Sequence, residues 1–438
     1  MYPTNHMWYH VLEGEVDMRI ESFSMTGYRG VRGKQTISLS PQVNILFGEN
    51  GAGKSTVLYG MMTALSWFAA RVRSTYGNGN LVEYHEINNQ CNHSELSIAC
   101  RTAENQLFTW SINKSRKGIE SLEKSDYSQL NVITQSLQRA REEHGVEISL
   151  PIIGLYPTSR AGLDIPNRIR KRHIFDSISL YDSDQIWNSD FRLFYEWFSN
   201  QQAIENEHYR ISGNTNIEDR SLNAVRKAIH TFMRDFSNLH FQFISPQGLY
   251  VEKKDFGLLR IEQLSGGEQS LLALVGDIAR RLVIANPTLP EPLLGRGIIL
   301  IDEVDVHLHP TWQYSVVENL RNTFPNCQFI LTSHAPSIIS QGKPGEVYRL
   351  SVDMDTISIT QGVPSYGKEM DEIYQDFLGL QTIRPKEIYH GIKEIYALME
   401  TDLDEAEERL KELQQTIHND SGLEKIQMLI TRRRTIGI

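Results

Sequence analysis

The segment from Gly48 to Ser55 combines residue types at a spacing that binds phosphate. It reads Gly-Glu-Asn-Gly-Ala-Gly-Lys-Ser and fits the pattern G-x-x-x-x-G-K-[ST]. Glycines at these positions let the backbone curl so that several N–H groups face a phosphate, and Lys54 would neutralise the β- and γ-phosphates. Ser55 supplies a hydroxyl that can ligate magnesium. The segment therefore predicts a site for a nucleoside triphosphate and Mg²⁺.

The residues around this loop fit the same interpretation. A chance match to the pattern in such a chain has a probability of about one in a hundred. The apolar run Val43–Phe47 predicts a strand before the loop, and apolar positions from Val57 to Phe68 predict a helix after it. The predicted nucleotide-binding residues of the loop are Gly48, Asn50, Gly51, Ala52, Gly53, Lys54, Ser55 and Thr56, with Thr56 at the α-phosphate.

Two acidic residues follow a second apolar run, Ile298–Ile301. Such a run is typical of a strand buried on both faces of a parallel sheet, and ligands bind at the carboxyl ends of such strands. Asp302 is predicted to hold Mg²⁺ together with Ser55. Glu303 is predicted to orient and polarise the attacking water, because phosphoryl transfer depends mainly on positioning and charge stabilisation. Glu303 is therefore the predicted catalytic residue.

The string Leu264–Gln269, which reads Leu-Ser-Gly-Gly-Glu-Gln, resembles the signature motif of ABC-type ATPases. The resemblance implies that Ser265 and Gly267 cap the γ-phosphate of ATP held by the opposing subunit. The chain has one phosphate loop (P-loop) and one signature motif. A complete ATP site then requires two chains, and a head-to-tail homodimer has two such sites. It also implies that Asp305 lies in the D-loop, which crosses the dimer interface, and that His334 is the switch histidine, a second catalytic residue.

A further segment, Met25–Gly30, resembles the strand end of SMC, RecF and related ATPases in which a basic residue reaches the phosphates. Arg29 is the matching residue. The Q-loop glutamine of that class has no identifiable counterpart; the segment Tyr156–Arg160 is a neighbour of the site but supplies no glutamine. His307 and His309 form an H-x-H pair without a third ligand, which is weak evidence for zinc.

These motifs predict an α/β fold, an ABC-type ATPase head whose mixed sheet combines a parallel P-loop core with an antiparallel lobe. Alternation in period two from about Glu83 to Leu155 predicts the antiparallel strands. The helical pattern after residue 180 is interrupted too often for a long coiled coil. The predicted organisation is an N-terminal extension at 1–17, a P-loop lobe at 18–180, a helical insertion at 181–240, a lobe carrying the signature and Asp302 at 241–365, and a helical C-terminal tail at 366–438.

The composition is that of an ordinary folded protein. Hydrophobic residues make up 40% and charged residues 22% of the 438 residues, and the formal net charge is -10. This balance argues against a surface that coats nucleic acid, so any DNA contact is local, with Arg168–His173 and Arg432–Arg434 as candidate clusters. The chain shows neither a bilayer-spanning apolar run nor a signal-peptide pattern. Three cysteines without metal-type pairing fit reduced thiols, and a cytoplasmic location is expected.

Two longer stretches narrow the resemblance. They are Tyr156–Arg160 followed by Leu163–Pro166, and Asp305–Gln313 with its His-Leu-His-Pro core. Together with the motifs above, they are similar to the ATPase subunits (PtuA type) of Septu anti-phage defence systems and of related retron systems, over nearly the whole chain. The resemblance implies an ATP-hydrolysing subunit that does not cut DNA itself but assembles with an HNH endonuclease (PtuB type), which its nucleotide state controls.

Other members of the class fit less well. Transport ATPases act with a membrane domain, and SMC proteins carry very long coiled coils. An OLD-type nuclease would add a metal-binding TOPRIM domain after His334. Asp353–Asp355 imitates the D-x-D element of that domain, but the sequence after His334 has a helical pattern and does not fit such a domain. The rival function is a RecF-like DNA-repair ATPase that binds DNA ends without a dedicated nuclease. A neighbouring gene for an HNH protein or for repair proteins would separate the two.

Overall fold

A computed structural model gives the architecture of two compact units, which divide after Gly367. The described residues are 18–102, 105–118, 124–144, 148–158, 173–187, 190–213, 218–377, 379, 382 and 384–436. The predicted N-terminal extension lies outside them. So do Ser159, Arg160, Leu163–Pro166 and the basic residues of the cluster at 168–172.

Strands of the first unit form three sheets. The strands are β1 (Arg19–Thr26), β2 (Gln35–Ser38), β3 (Val43–Phe47), β4 (His93–Arg101), β5 (Leu107–Ser115), β6 (Ile152–Tyr156), β7 (Phe236–Gln242), β8 (Gly248–Lys253), β9 (Gly257–Arg260), β10 (Gly297–Ile301), β11 (Cys327–Ser333), β12 (Val347–Asp353) and β13 (Thr356–Gln361). The largest sheet has the order β13-β12-β3-β11-β10-β6, in which all neighbours are parallel except β12 and β13.

The other two sheets are antiparallel. One has the order β2-β1-β4-β5, and the other has the order β7-β8-β9. Every residue of β3, β6, β10 and β11 is buried, as parallel strands covered on both faces should be. The predicted α/β class, with a parallel core and an antiparallel lobe, is confirmed.

Helices connect and cover these sheets. They are α1 (Lys54–Arg73), α2 (Ser128–His144), α3 (Ser183–Trp187), α4 (Phe191–Ser212), α5 (Arg220–Phe232), α6 (Gly266–Ala285), α7 (Pro310–Gln313), α8 (Val316–Thr323), α9 (Pro336–Ile339), α10 (Met370–Asp376), α11 (Lys386–Thr401), α12 (Leu403–Thr416) and α13 (Ser421–Ile436). None of the helices in the described part of the chain is long and apolar enough to cross a membrane.

Helix α1 anchors the phosphate loop to the core. Its buried side chains include Val57, Leu58 and Met61, and it contacts strands of both the parallel and the four-stranded sheet. The Trp110 indole N–H donates to the Ala64 carbonyl at 3.0 Å and ties β5 to the middle of α1. A helix packed on two sheets holds its first turn in a fixed place, which is where the predicted phosphate ligands lie.

Two expectations about the elements were wrong. The stretch from Glu83 to Leu155 is not a run of antiparallel strands, because it contains the helix α2 and ends in β6, which joins the parallel sheet. The predicted helical insertion ends earlier than residue 240, because β7 begins at Phe236. Helices α4 and α5 of this insertion pack against α6, so they belong to the same compact unit as the sheets.

The second unit, residues 368–438, is helical, and three helices share its core. The apolar stripe of α12, with Ala406 and Leu410 fully buried, packs against α11 and α13. The stripe that the sequence shows is therefore covered within the tail itself. An ion pair between Arg384 and Asp420, at 2.9 Å, joins the residues that precede α11 and α13.

Candidate active site

The phosphate loop lies between β3 and α1, and its glycines adopt conformations that other residues rarely take. Gly48 and Gly53 have φ angles of 156° and 94°. A Cβ at Gly48 would lie 2.2 Å from the Leu350 carbonyl oxygen, and one at Gly53 would lie 2.2 Å from Ile357 Cδ1. Since neither position has room for a side chain, the loop needs glycine to pass this close to β12 and β13.

Lys54 begins α1 and is only 7% exposed. Its ammonium group donates to the carbonyl oxygens of Gly48 at 3.0 Å and Glu49 at 3.1 Å. Burial lowers the pKa of Lys54, and the nearby acidic side chains, Glu303 first among them, oppose that shift. An ammonium has three donors, so this one retains a donor for an anion in the loop.

Asp302 follows β10 and is almost fully buried at 5% exposure. The Ser55 hydroxyl donates to its Oδ2 at 2.9 Å. The predicted magnesium pair, which comes from opposite ends of the unit's sequence, is therefore in direct contact. This follows from the sheet order, because β3 and β10 both flank β11 and end at the same edge.

Two hydroxyls that the sequence analysis missed also reach the Asp302 carboxylate. Thr332, the penultimate residue of β11, donates to Oδ1 at 2.6 Å. Thr158, two residues after β6, donates to Oδ2 at 3.4 Å. The available signal was a hydroxyl residue at or just after an apolar strand-like run, the same context that identified Asp302.

Glu303 adopts a left-handed backbone conformation, with φ of 48°. Its backbone N–H donates to the Thr332 hydroxyl at 2.7 Å, and the N–H of Val304 donates to the Thr332 carbonyl at 3.0 Å. A positive φ in a non-glycine residue costs free energy and is concentrated at functional sites. The contacts with β11 hold Glu303 in this conformation.

His334 lies directly after β11 and is partly buried. Burial lowers the pKa of His334 below its ordinary value of 6.5, and the Lys54 ammonium lowers it further. The carboxylates of Asp305, Glu303 and Asp302 oppose this shift, which places all of these charges around one site. One carboxylate oxygen of Asp305, Oδ1, is buried and has no hydrogen-bond partner in the described part of the chain.

We expect His334 to make the folded protein more sensitive to acid. The folded state holds the imidazole neutral where the unfolded chain protonates it, so this contribution to stability is present above about pH 6.5 and is lost as the pH falls through the lowered pKa. In His334→Gln the decrease in Tm between about pH 7.5 and about pH 5.5 should be smaller than in the wild type. Calorimetric scans at both pH values measure this.

The exposed residue His208, on α4, provides the matched control. His208→Gln should show the wild-type decrease in Tm. An equal decrease in all three proteins would contradict the assigned environment of His334.

The signature motif spans the start of α6, where Leu264 is buried but Ser265 and Gly266 are exposed. Ser265 caps the helix, because its hydroxyl accepts the backbone N–H of Glu268 at 3.4 Å. In return, its backbone N–H and its hydroxyl both donate to Glu268 Oε2 at 2.8 Å. Lys253 of β8 holds the same carboxylate through an ion pair of 2.7 Å. The exposed Ser265 and Gly266 place the N-terminus of a 20-residue helix at the surface, where its N–H groups can meet an anion.

The signature also touches the loop after Asp302. A Cβ at Gly267 would lie 2.3 Å from the His307 carbonyl oxygen, so the turn at residues 305–309 and the start of α6 fit directly against each other. Gly266 differs, because a Cβ there would meet no atom of the described residues within 4 Å. The described part of the chain therefore leaves room for a Cβ at Gly266.

Arg29 follows β1 and has φ of 46°. Its guanidinium donates to Glu86 Oε1 at 2.8 Å and lies over the rings of Tyr28 and Tyr59, the latter on α1. The structure therefore places Arg29 beside the second turn of the phosphate-loop helix. Its predicted contact with phosphate remains a prediction.

The remaining sequence candidates have structural partners. Arg433 pairs with Glu400, and Arg434 pairs with Asp404 and Glu407, so the C-terminal basic cluster is largely neutralised within its own unit. Asp353–Asp355, which imitates a D-x-D element, lies in the hairpin turn between β12 and β13. Asp353 pairs there with Thr356, and the two residues between them have positive φ.

The residues present fit a nucleotide with magnesium. Hydroxyl and carboxylate oxygens are the ligands that Mg²⁺ prefers, and it is commonly held by one or two carboxylates together with substrate phosphates. Ser55 and Asp302 supply such oxygens in contact with each other. Within the described ranges no group of three or more histidine, cysteine or acidic side chains could hold a metal.

Comparison with known proteins places these motifs in a family. The RecF/RecN/SMC N terminal domain matches residues 19–358. The Retron Ec83 probable ATPase of Escherichia coli is 30% identical over 385 residues, which cover 75% of this chain and 70% of that protein. The Retron Vc95 probable ATPase of Vibrio cholerae serotype O1 biovar El Tor is 29% identical over 369 residues, or 74% of this chain and 71% of that protein.

A second kind of relative matches over a shorter length. The Septu protein PtuA of Bacillus mycoides is 34% identical over 154 residues, which cover 34% of this chain and 20% of that protein. The retron ATPases and the Septu protein PtuA are the two kinds of protein that the sequence motifs of this chain resemble.

Proposed function

The chain belongs to the RecF/RecN/SMC N terminal domain family and is an ABC-type ATPase, and on that premise we propose that it is the ATP-hydrolysing subunit of an anti-phage defence complex. Its nucleotide-dependent dimer would control an associated HNH endonuclease. The predicted resemblance to retron and Septu ATPases is confirmed, and these relatives support the defence context.

One observation carries the proposal for the ATP site. The residues that would hold phosphate, magnesium and water converge at one sheet edge, whereas the signature at the start of α6 is exposed. A site that is half assembled in one chain, together with an exposed anion-binding helix terminus, fits a head-to-tail pair of chains.

Within one chain, the P-loop backbone and Lys54 would bind the phosphates of ATP. The Ser55 hydroxyl and the Asp302 carboxylate would hold magnesium, which supplies positive charge to the terminal phosphates. Asp302 is restrained for this task by Thr332, whose hydroxyl donates to Oδ1 at 2.6 Å. Such restraint lowers the reorganisation needed when substrate binds.

Glu303 would orient the attacking water and accept its proton. The backbone bonds to Thr332 hold Glu303 at the carboxyl end of β10, next to Asp302. His334 would face the same site as a neutral imidazole, because its lowered pKa keeps it unprotonated, and it could then accept or donate one hydrogen bond.

The second chain would complete the site. Ser265 and the backbone N–H groups of Gly266 and Gly267 would meet the γ-phosphate held by the opposing P-loop. Asp305 lies in the turn that packs on Gly267 through His307, and its buried Oδ1 has no hydrogen-bond partner among the residues that the structure describes. We propose that this oxygen gains its partner from the opposing subunit.

The HNH endonuclease is the proposed partner outside the dimer. The test is co-purification of the tagged ATPase with the protein encoded beside it, followed by assays of DNA cleavage with ATP, with ADP and without nucleotide. We expect an HNH protein to co-purify and its cleavage to change with nucleotide. Cleavage by the complex should lose this dependence when the ATPase carries Lys54→Met.

The rival function is a DNA-end-binding ATPase without a dedicated nuclease. Recovery of the ATPase alone or with repair proteins would favour this rival. Cleavage that ignores nucleotide would instead contradict the proposed control of the endonuclease by the ATPase. Because the C-terminal basic cluster is paired with acidic side chains, it does not favour a DNA contact.

A further inference from the structure

Three hydroxyl groups from three different elements converge on the Asp302 carboxylate. Ser55 and Thr158 both donate to Oδ2, at 2.9 and 3.4 Å, and Thr332 donates to Oδ1 at 2.6 Å. Ser55 belongs to the phosphate loop. The other two hydroxyls come from the strands β6 and β11, which lie on either side of β10.

Thr332 and Thr158 have different environments. Thr332 is fully buried, and its hydroxyl also accepts the N–H of Glu303, so both of its bonding roles are committed to the backbone and Asp302. Thr158 is only partly buried, and its 3.4 Å distance to Oδ2 is longer than the roughly 2.5–3.0 Å of an ordinary O–H···O hydrogen bond, so the contact is weak. The Thr158 hydroxyl therefore lies beside the Asp302 carboxylate but makes only a long contact with it.

The sheet fixes the position of Thr158. Tyr156 pairs with Ile301 in the parallel ladder between β6 and β10, and the N–H of Asp302 donates to the Tyr156 carbonyl at 2.9 Å. The residues that follow the two strands therefore leave the sheet side by side. This geometry brings Thr158 to Asp302 although the two are far apart in sequence.

The end of β6 is also anchored from the opposite side. The Tyr156 hydroxyl donates to Asp277 Oδ2 of α6 at 3.0 Å, and both side chains are buried. Burial raises the pKa of Asp277, but the guanidinium groups of Arg281 and Arg280 outweigh it and hold the pKa below its usual value. Since the anchor stays ionised and fully buried, the strand end that carries Thr158 has little freedom to shift.

We propose that Thr158 is a positioning residue for magnesium, acting through the Asp302 carboxylate. This inference rests on the proposed ATPase site. The Thr158 hydroxyl restrains Oδ2, the oxygen that also meets Ser55, and so keeps the Ser55 and Asp302 oxygens aimed at one ion. Partners that orient a metal ligand typically change metal affinity by about 10- to 100-fold when they are removed.

The test compares two substitutions that separate the hydroxyl from the shape of the side chain. Thr158→Val keeps the branched shape and removes the hydroxyl, whereas Thr158→Ser keeps the hydroxyl. Magnesium is titrated at saturating ATP, and binding of Mn²⁺ as a spectroscopic probe is measured by electron paramagnetic resonance in the presence of a non-hydrolysable ATP analogue. Analogue binding is also measured in EDTA.

For Thr158→Val we expect the magnesium concentration at half-maximal hydrolysis to rise about tenfold, with a similar weakening of Mn²⁺ binding. Analogue binding in EDTA should equal that of the wild type, and Thr158→Ser should restore metal binding to within about threefold. Wild-type metal dependence in Thr158→Val would overturn the proposal, as would equal impairment of the serine variant. Failure of the wild-type protein to bind the analogue would instead refute the proposed ATPase site.

Discussion

Glu303→Gln should slow ATP hydrolysis by about 10²- to 10⁴-fold while ATP binding is retained. Glutamine has the same shape as glutamate and can adopt the same left-handed backbone conformation, but it cannot accept a proton from water. Because hydrolysis would no longer separate the subunits, the variant should accumulate as an ATP-bound dimer. Single-turnover phosphate release and light scattering with ATP measure the two effects.

A matched control is available on the second helix that follows Glu303 in the chain. Glu318 of α8 is exposed, and Glu318→Gln changes the charge by the same amount. Its hydrolysis rate should stay within about twofold of the wild type, since surface substitutions rarely act at a distance. A Glu303→Gln protein that hydrolyses ATP at a rate near that of the wild type would show that another group activates the water.

Lys54→Met should weaken ATP binding by about 100-fold. Hydrogen bonds to charged groups are worth about 1.5–3 kcal/mol each, and about 2.7 kcal/mol corresponds to this factor. Methionine matches the length of the lysine side chain, so it fills the buried space at the start of α1 without the ammonium. Titration calorimetry with a non-hydrolysable ATP analogue gives the affinity.

Lys34 provides the control for Lys54→Met. Lys34 is exposed on the same unit, and Lys34→Met removes one positive charge without touching the phosphate loop. Its affinity for the analogue should match that of the wild type. Equal affinities for the two variants would remove Lys54 from the phosphate site.

Local patterns were sufficient to predict the elements that carry the main motifs. The phosphate loop, the strands β3 and β10 and the helix α1 all have boundaries close to those expected, because glycine spacing and apolar periodicity are properties of short segments. The direct contact between Ser55 and Asp302 also follows, since both lie at the carboxyl ends of strands in one parallel sheet.

Other contacts between distant segments could not be predicted in this way. Thr158 reaches Asp302 only because β6 pairs with β10, and one sequence does not reveal that pairing. Arg29 and Glu86 meet for the same kind of reason, through the isolated bridge between Tyr28 and Ile87. These partners determine where the site's side chains point, so the sequence predicts the candidate ligands but not the contacts that hold them in place.

Helix α2 shows how a local signal can also be misread. Its buried positions, Leu130, Thr134, Leu137 and Ala140, have helical spacing, but they are few and lie among polar residues. The flanking strands β4 and β5 alternate strongly in period two. The prediction of antiparallel strands extends this stronger pattern over the segment of α2, which is helical.

The claim that one chain's signature completes the other chain's ATP site can be tested with two inactive variants. Lys54→Met disables the phosphate loop, and Gly266→Asp places a negative charge where the opposing γ-phosphate would lie. A Cβ at Gly266 would have open space among the residues that the structure describes, so the Gly266→Asp substitution should leave the fold unchanged. The two variants carry different tags, and the mixed dimer is isolated by two affinity steps.

The decisive measurement is ATP hydrolysis by that mixed dimer. Shared sites predict that each variant alone is inactive but that the mixed dimer regains up to about half of the wild-type rate, because one of its two sites combines an intact phosphate loop with an intact signature. A mixed dimer that forms but stays as inactive as its parents would contradict the account, since it would mean that each signature serves only its own chain.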